Sequence, residues 1–194
     1  MASISVPAGI SVKEFFLNFV PAQFKQQSGA VDLSAMSGKD FTLQFDIDGQ
    51  KYGIRVKDGK EMEVIEGGMP KPMIEVSVPE KVWRFFISGG GGLDQFSGGG
   101  GQAAPAPAEM LRRYEKLQST NGKLNMEIKQ DDGSTIPVSM TFNGVPEPSA
   151  TLKVGMQDFI AMQQKKVDGQ ALFMSGKLSV DGDLLFLMSL QSLM

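Results

Sequence analysis

A chain of 194 residues with 41% apolar and 21% charged residues has the make-up of a globular protein of one or two domains with a real core. A net charge of −3 with scattered basic residues leaves no electrostatic footprint for nucleic acid. With no Cys and no His, disulfides, thiolate chemistry, Ser-His-Asp or Cys-His catalysis and histidine-ligated zinc are all excluded, and no cofactor is expected.

Thirteen Met and thirteen Phe, against two Tyr and one Trp, supply apolar lining that either fills a core or adapts to an irregular ligand. The start, Met1 to Pro7, lacks the basic region and apolar run of a secretory signal. No apolar run reaches the roughly 18 residues of a membrane-spanning helix. A cytoplasmic location is therefore expected.

Residues 11 to 24 read as an amphipathic helix. Ser11 and Glu14 have capping-box spacing, and Ile10 faces Phe15 as a hydrophobic staple. Val12, Phe15, Phe16, Phe19 and Val20 make one apolar stripe, and Pro21 is expected to end or kink the helix. A loop follows over about 25 to 38.

From Phe41 the period changes to two. Phe41 to Ile47 and Tyr52 to Val56 read as a hairpin around Asp48-Gly49. Asp58-Gly59 turns into a third strand near Met62 to Ile65, and Ile74, Val76 and Val78 make a fourth. Pro79 opens an apolar helix to about Ile87. The Gly-rich stretch 88–102 lacks both the Gly-Lys-Ser/Thr ending of a phosphate loop and the dinucleotide spacing, so it reads as linker.

The same order then recurs. A helix covers Ala108 to Gln118, strands are expected at Leu124 to Ile128, Ile136 to Met140 and Ala150 to Val154, and a helix at Met156 to Met162. Ile74 to Trp83 align with Ala150 to Phe159 without a gap, which points to an internal duplication. We therefore divide the chain into 1–96, a linker at 97–107, and 108–194. Only the second copy continues, through an apolar turn (Leu172, Phe173, Met174) and a strand (Lys177 to Val180). An Asp181-Gly182-Asp183 turn then caps an apolar tail, Leu184 to Met194.

This closing phrase carries a resemblance. An aromatic-rich turn, Gly176-Lys177-Leu178, Gly182-Asp183 and an apolar helix with Leu190-Gln191 near its end resemble the sterol carrier protein 2 domain family. The likeness is clearest over 108–194, with a degenerate copy before it. It implies an α+β fold, a mostly antiparallel sheet of about five strands covered by helices around an apolar cavity. It also implies non-enzymatic binding or transfer of a sterol, fatty acyl or isoprenoid lipid. By position, Phe159, Met162, Phe173, Met174, Leu184, Leu187, Met188 and Leu190 would line the tunnel. Lys165, Lys166 and Lys177 are either headgroup partners or solvated surface.

The partner expected is a lipid-like small molecule, with transient membrane contact and a homodimer left open. The alternative is a structural protein whose core fills itself and which serves as a scaffold or dimerising unit. An enzyme working through Asp158, Asp181 or Asp183 is the weakest reading, because no base and nucleophile can be paired.

Overall fold

Period-two strands with one apolar and one polar face have to pair edge to edge and cover the apolar side. A computed structural model shows how, describing residues 6–27, 34–88, 106–164, 166–191 and 193. The strands are β1 (Asp40–Ile47), β2 (Gln50–Lys57), β3 (Glu61–Glu66), β4 (Ile74–Val78), β5 (Gly122–Lys129), β6 (Thr135–Phe142), β7 (Ser149–Gly155) and β8 (Leu178–Gly182). All eight join one sheet in the order β3-β2-β1-β4-β6-β5-β7-β8. The α+β class is as expected. The sheet has eight strands rather than about five because the two halves share it, through the antiparallel pair β4–β6.

Helices cover one face. The first is α1 (Val12–Glu14), which runs through a π-helical segment (Phe15–Phe19) into α2 (Val20–Gln27). Its capping box forms as the sequence predicts. Pro21 neither ends nor breaks it. The π segment just before it, with Val20 N–H donating to Phe15 O, widens the turn where the proline ring would meet the preceding carbonyl. The others are α3 (Glu80–Ile87), α4 (Pro107–Ser119), α5 (Met156–Gln163), α6 (Gly169–Met174) and α7 (Leu184–Gln191). The apolar turn of the sequence reading is thus the short helix α6. Asp181 and Gly182 end β8 instead of forming a turn, and Asp183 alone caps α7, accepting from Phe186 N–H at 2.8 Å.

Two clusters make up the core on this face. The larger joins α1, the π segment, α3, α5 and α6 to the sheet: Phe16 stacks on Tyr52 at 4.8 Å, and Trp83 meets Phe15 edge-on at 5.2 Å. The smaller joins α4 and α7 to the opposite end of the strands, through Tyr114, Leu117, Phe142, Ala150, Phe186 and Leu190. Ile74 and Met140, on the two strands at the seam, touch both clusters. α3 and α5 meet across the halves at Phe86–Phe159, 5.9 Å.

The other face is polar. Lys51 reaches Asp46 and Glu75, and Lys153 reaches Asp181 and Glu127. Such exposed cross-strand pairs add little to the stability of a sheet.

Candidate functional site

Register shows which apolar residues lie side by side beneath the helices. Leu178, Val154, Ile128 and Ile136 form one transverse row across β8, β7, β5 and β6, all buried. α5 packs on β5 and β7, and α6 on β8. At the far end of the same strands, Ala150 and Phe142 are buried against α4 and α7. Between the sealed ends run Val180, Leu152, Met126 and Val138, in direct register and all only half-buried. Leu124 and Met140 beside them are half-buried as well. These six, packed against the two core clusters, form a half-buried apolar strip on the helix-covered face, which we call the trough. Met126 and Met140 give it adaptable side chains.

Among the described residues, the first half is more closely covered over part of the matching strip. Ile47 pairs with Gln50 and Val78, as Ile128 pairs with Ile136 and Val154, so Val138, Met140 and Leu152 correspond to Tyr52, Ile54 and Val76. Those three are buried, and the Phe16 ring lies on Tyr52. The Phe16 ring thus covers this part of the first half, while Leu43 and Phe45, the counterparts of Leu124 and Met126, stay half-buried.

The eight residues expected to line a tunnel divide in two. Phe159 and Leu190 are buried in the larger and smaller clusters; Met162 and Leu187 are half-buried against the same two. Phe173, Met174, Leu184 and Met188 are exposed on α6 and α7. Sequence reasoning passed over the floor itself, since Met126, Val138, Met140, Leu152 and Val180 look like ordinary inward positions. The available signal was a methionine in the middle of both β5 and β6.

Charged groups of the second half have partners. Lys177 Nζ lies 3.0 Å from Asp158 Oδ1, and Lys153 Nζ 2.7 Å from Asp181 Oδ2. The Asp181 carboxylate, with Glu127 beyond it, raises the pKa of Lys153 above its usual 10.5. Lys166 is exposed, and Lys165 lies outside the described residues, as do residues 89–105 of the Gly-rich stretch and linker. Asp158, Asp181 and Asp183 thus serve as two ion-pair partners and a helix cap. Among the described residues no three acidic groups gather in a metal-binding cluster, and no helix is long and apolar enough to cross a membrane.

Two surface depressions lie apart from the trough. One of about 370 Å³, between the end of α4 and the start of α7, is lined by Lys116, Ser119, Asn121, Asp183 and neighbours. The other, of about 240 Å³, is bordered by Glu127, Lys129, Lys153 and Lys177. Both have mostly polar or charged side chains around them.

The half-buried apolar strip of the second half can be set beside known proteins. Residues 108–194 match the SCP-2 sterol transfer family. The match spans the strands, α5, α6 and α7 that form the trough. Similar solved structures include sterol carrier protein 2 from Yarrowia lipolytica in its apo form, at 22% identity over 43% of this chain and 80% of that chain, with a TM-score of 0.33. The sterol carrier protein domain 2 of Helicoverpa armigera is 19% identical over 40% and 69%, with a TM-score of 0.33. Sterol carrier protein-2 like-3 from Aedes aegypti is 18% identical over 43% and 90%, with a TM-score of 0.30. No curated protein matches the chain.

Proposed function

We propose that the chain binds, and passes on, a hydrophobic ligand of sterol, fatty acyl or isoprenoid type in the trough of its second half. The observation that carries this is the row Val180, Leu152, Met126 and Val138, left half-open on a face that helices cover at both ends. The match of residues 108–194 to a sterol transfer family supports the same reading. Each methylene buried there contributes about 0.8 kcal/mol. About ten of them exceed the lower estimates of the cost of association, about 4 kcal/mol. Affinity thus comes from apolar contact, and a Met-lined floor accepts varied chains.

In this reading no bond is made or broken, and the first half serves as a filled, supporting copy at 1–96, joined by the linker 97–107. The protein works in the cytoplasm, without a nucleic-acid partner. The test is organic extraction and native mass spectrometry of protein purified from cells. A co-purified lipid is expected. If none is found, and fluorescent fatty acids also fail to bind at micromolar concentration, the reading is wrong.

A further inference from the structure

The last carbonyls of a helix lack their usual partner one turn further on and must be satisfied from elsewhere. At the end of α4 one side chain does this from 23 to 26 residues along the chain. Asn143 Nδ2 lies 2.6 Å from Thr120 O, 2.9 Å from Leu117 O and 3.3 Å from Gln118 O. Only the NH2 end of the amide donates, so the three acceptors fix which way it faces. The Asn143 backbone N–H donates to Met73 O at 2.9 Å, in the segment that leads into β4. Asn143 therefore ties the end of α4 to both halves of the sheet.

The turn that carries Asn143 is itself held. Asn143 and Gly144 have φ of +52° and +67°, and Val145 N–H donates to Phe142 O at 3.0 Å. The turn after β2, Asp58-Gly59, has nearly the same pair, +53° and +68°. There the side chain is a carboxylate, and it accepts from Gly38 N–H. One turn meets an N–H and carries an acceptor; the other meets carbonyls and carries a donor.

Asn followed by Gly is also a reactive pair. The Gly nitrogen attacks Cγ of the Asn side chain, the bond from Cγ to Nδ2 breaks, and the proton of the Gly N–H leaves with the NH2 group as ammonia. Water then opens the cyclic imide at either carbonyl, giving Asp or its β-linked isomer. In the fold, Nδ2 is held by the three carbonyls and the turn is fixed, so Gly144 N does not reach Cγ. The product would set a carboxylate, which has no proton to donate, against the carbonyls that Asn143 now satisfies.

We propose that Asn143-Gly144 is a covalent switch for α4. The seated helix protects the amide, and deamidation, once α4 has opened, prevents the helix from seating again. Tyr114 and Leu117 then leave the smaller core cluster.

The test begins with peptide mass mapping of the full chain, incubated at mildly alkaline pH with and without urea. In urea both Asn-Gly pairs, Asn121-Gly122 and Asn143-Gly144, are free to react. Asn143 should convert about tenfold or more slowly in the folded chain, because its reaction waits on local opening. Equal rates for Asn143 in the folded and unfolded chain overturn the protection. Asn143→Asp, the product itself, should lower the thermal midpoint by about 5 °C or more. The loss should exceed that of Asn143→Gly, which suits the backbone and brings no charge. By hydrogen exchange, α4 should lose protection in Asn143→Asp while α3 keeps it. The switch is overturned if Asn143→Asp melts no lower than Asn143→Gly, or if α4 stays as protected as in the parent. Should Asn143→Asp fail to fold, Asn143→Gly decides: an α4 as protected as the parent's would show that the Asn143 cap holds nothing.

Discussion

Ile47 and Ile128 hold the same place in the two halves of one sheet. Each is fully buried, and each lies opposite a valine of the neighbouring parallel strand, Val78 for Ile47 and Val154 for Ile128. The shared register supports the proposed duplication and makes both residues anchors of one core. Ile47→Ala and Ile128→Ala should each destabilise the chain by about 2–5 kcal/mol, since each leaves a cavity with little room to collapse. Because the sheet is continuous, urea unfolding followed by circular dichroism should show a single transition in both variants. Separate transitions for the halves would mean that the seam does not couple them.

The seam itself makes a second prediction. β4 covers the outer edge of β6, with Ile74 opposite Phe142 and Val76 opposite Met140. A chain cut to 108–194 bares that edge together with the apolar side chains that meet there, and an unpaired apolar edge invites association. The fragment should be aggregated or oligomeric by size-exclusion chromatography. A monomeric fragment that keeps the ligand affinity of the full chain would show that the first half is dispensable.

Gly122 fixes how α7 sits. Its φ is +129°, and a Cβ there would meet the Phe186 ring at 2.6–2.7 Å and the Pro148 carbonyl more closely still. Gly122→Ala should therefore destabilise the chain by about 1–3 kcal/mol or more, from backbone strain and displacement of Phe186. The thermal midpoint measures this directly, and an unchanged midpoint would argue against the close packing of α7 on β5.

A pH effect is expected at the start of α4. Hydrogen bonds from Arg112 and Arg113 hold the Glu109 carboxyl well below its usual 4.5, at about 2. A pKa depressed in the folded state adds stability above about pH 4.5, and that contribution is lost as the pH falls toward 2. The side-chain carboxyl carbon of Glu109, followed by NMR, should titrate near 2. In Glu109→Gln the stability should depend less on pH across that window.

Much of the fold was legible in single residues. Ser11 and Glu14 announce the first helix, and Asp48-Gly49 adopts positive φ at its turn, as such pairs favour. Pro21 misled because a π segment absorbed it, a tertiary accommodation that propensity does not encode. The β4–β6 seam was hidden because pairing between strands about 60 residues apart is set by which edges are left free, not by periodicity. The trough was hidden for a related reason. Val138 and Tyr52 both read as inward strand positions, and only the packing of Phe16 onto one of them shows which half is filled. Likewise the apolar run of α7 does not say that Leu184, Leu185 and Met188 face outward while Phe186 and Leu190 face the core.

The most direct measurement is a fluorescent fatty acid titration of the full chain and of Val138→Phe. Val138 is half-buried at the β6 end of the trough floor, so a phenyl ring there takes up space along the floor without opening a cavity. Saturable binding by the parent chain is expected, weakened by about tenfold or more in Val138→Phe, a loss equivalent to about 1.4 kcal/mol or more. Ligand-free stability should stay within about 1.5 kcal/mol of the parent. Equal affinity in the two proteins would contradict the trough as the ligand site, and no binding by the parent chain would contradict the lipid-binding account itself.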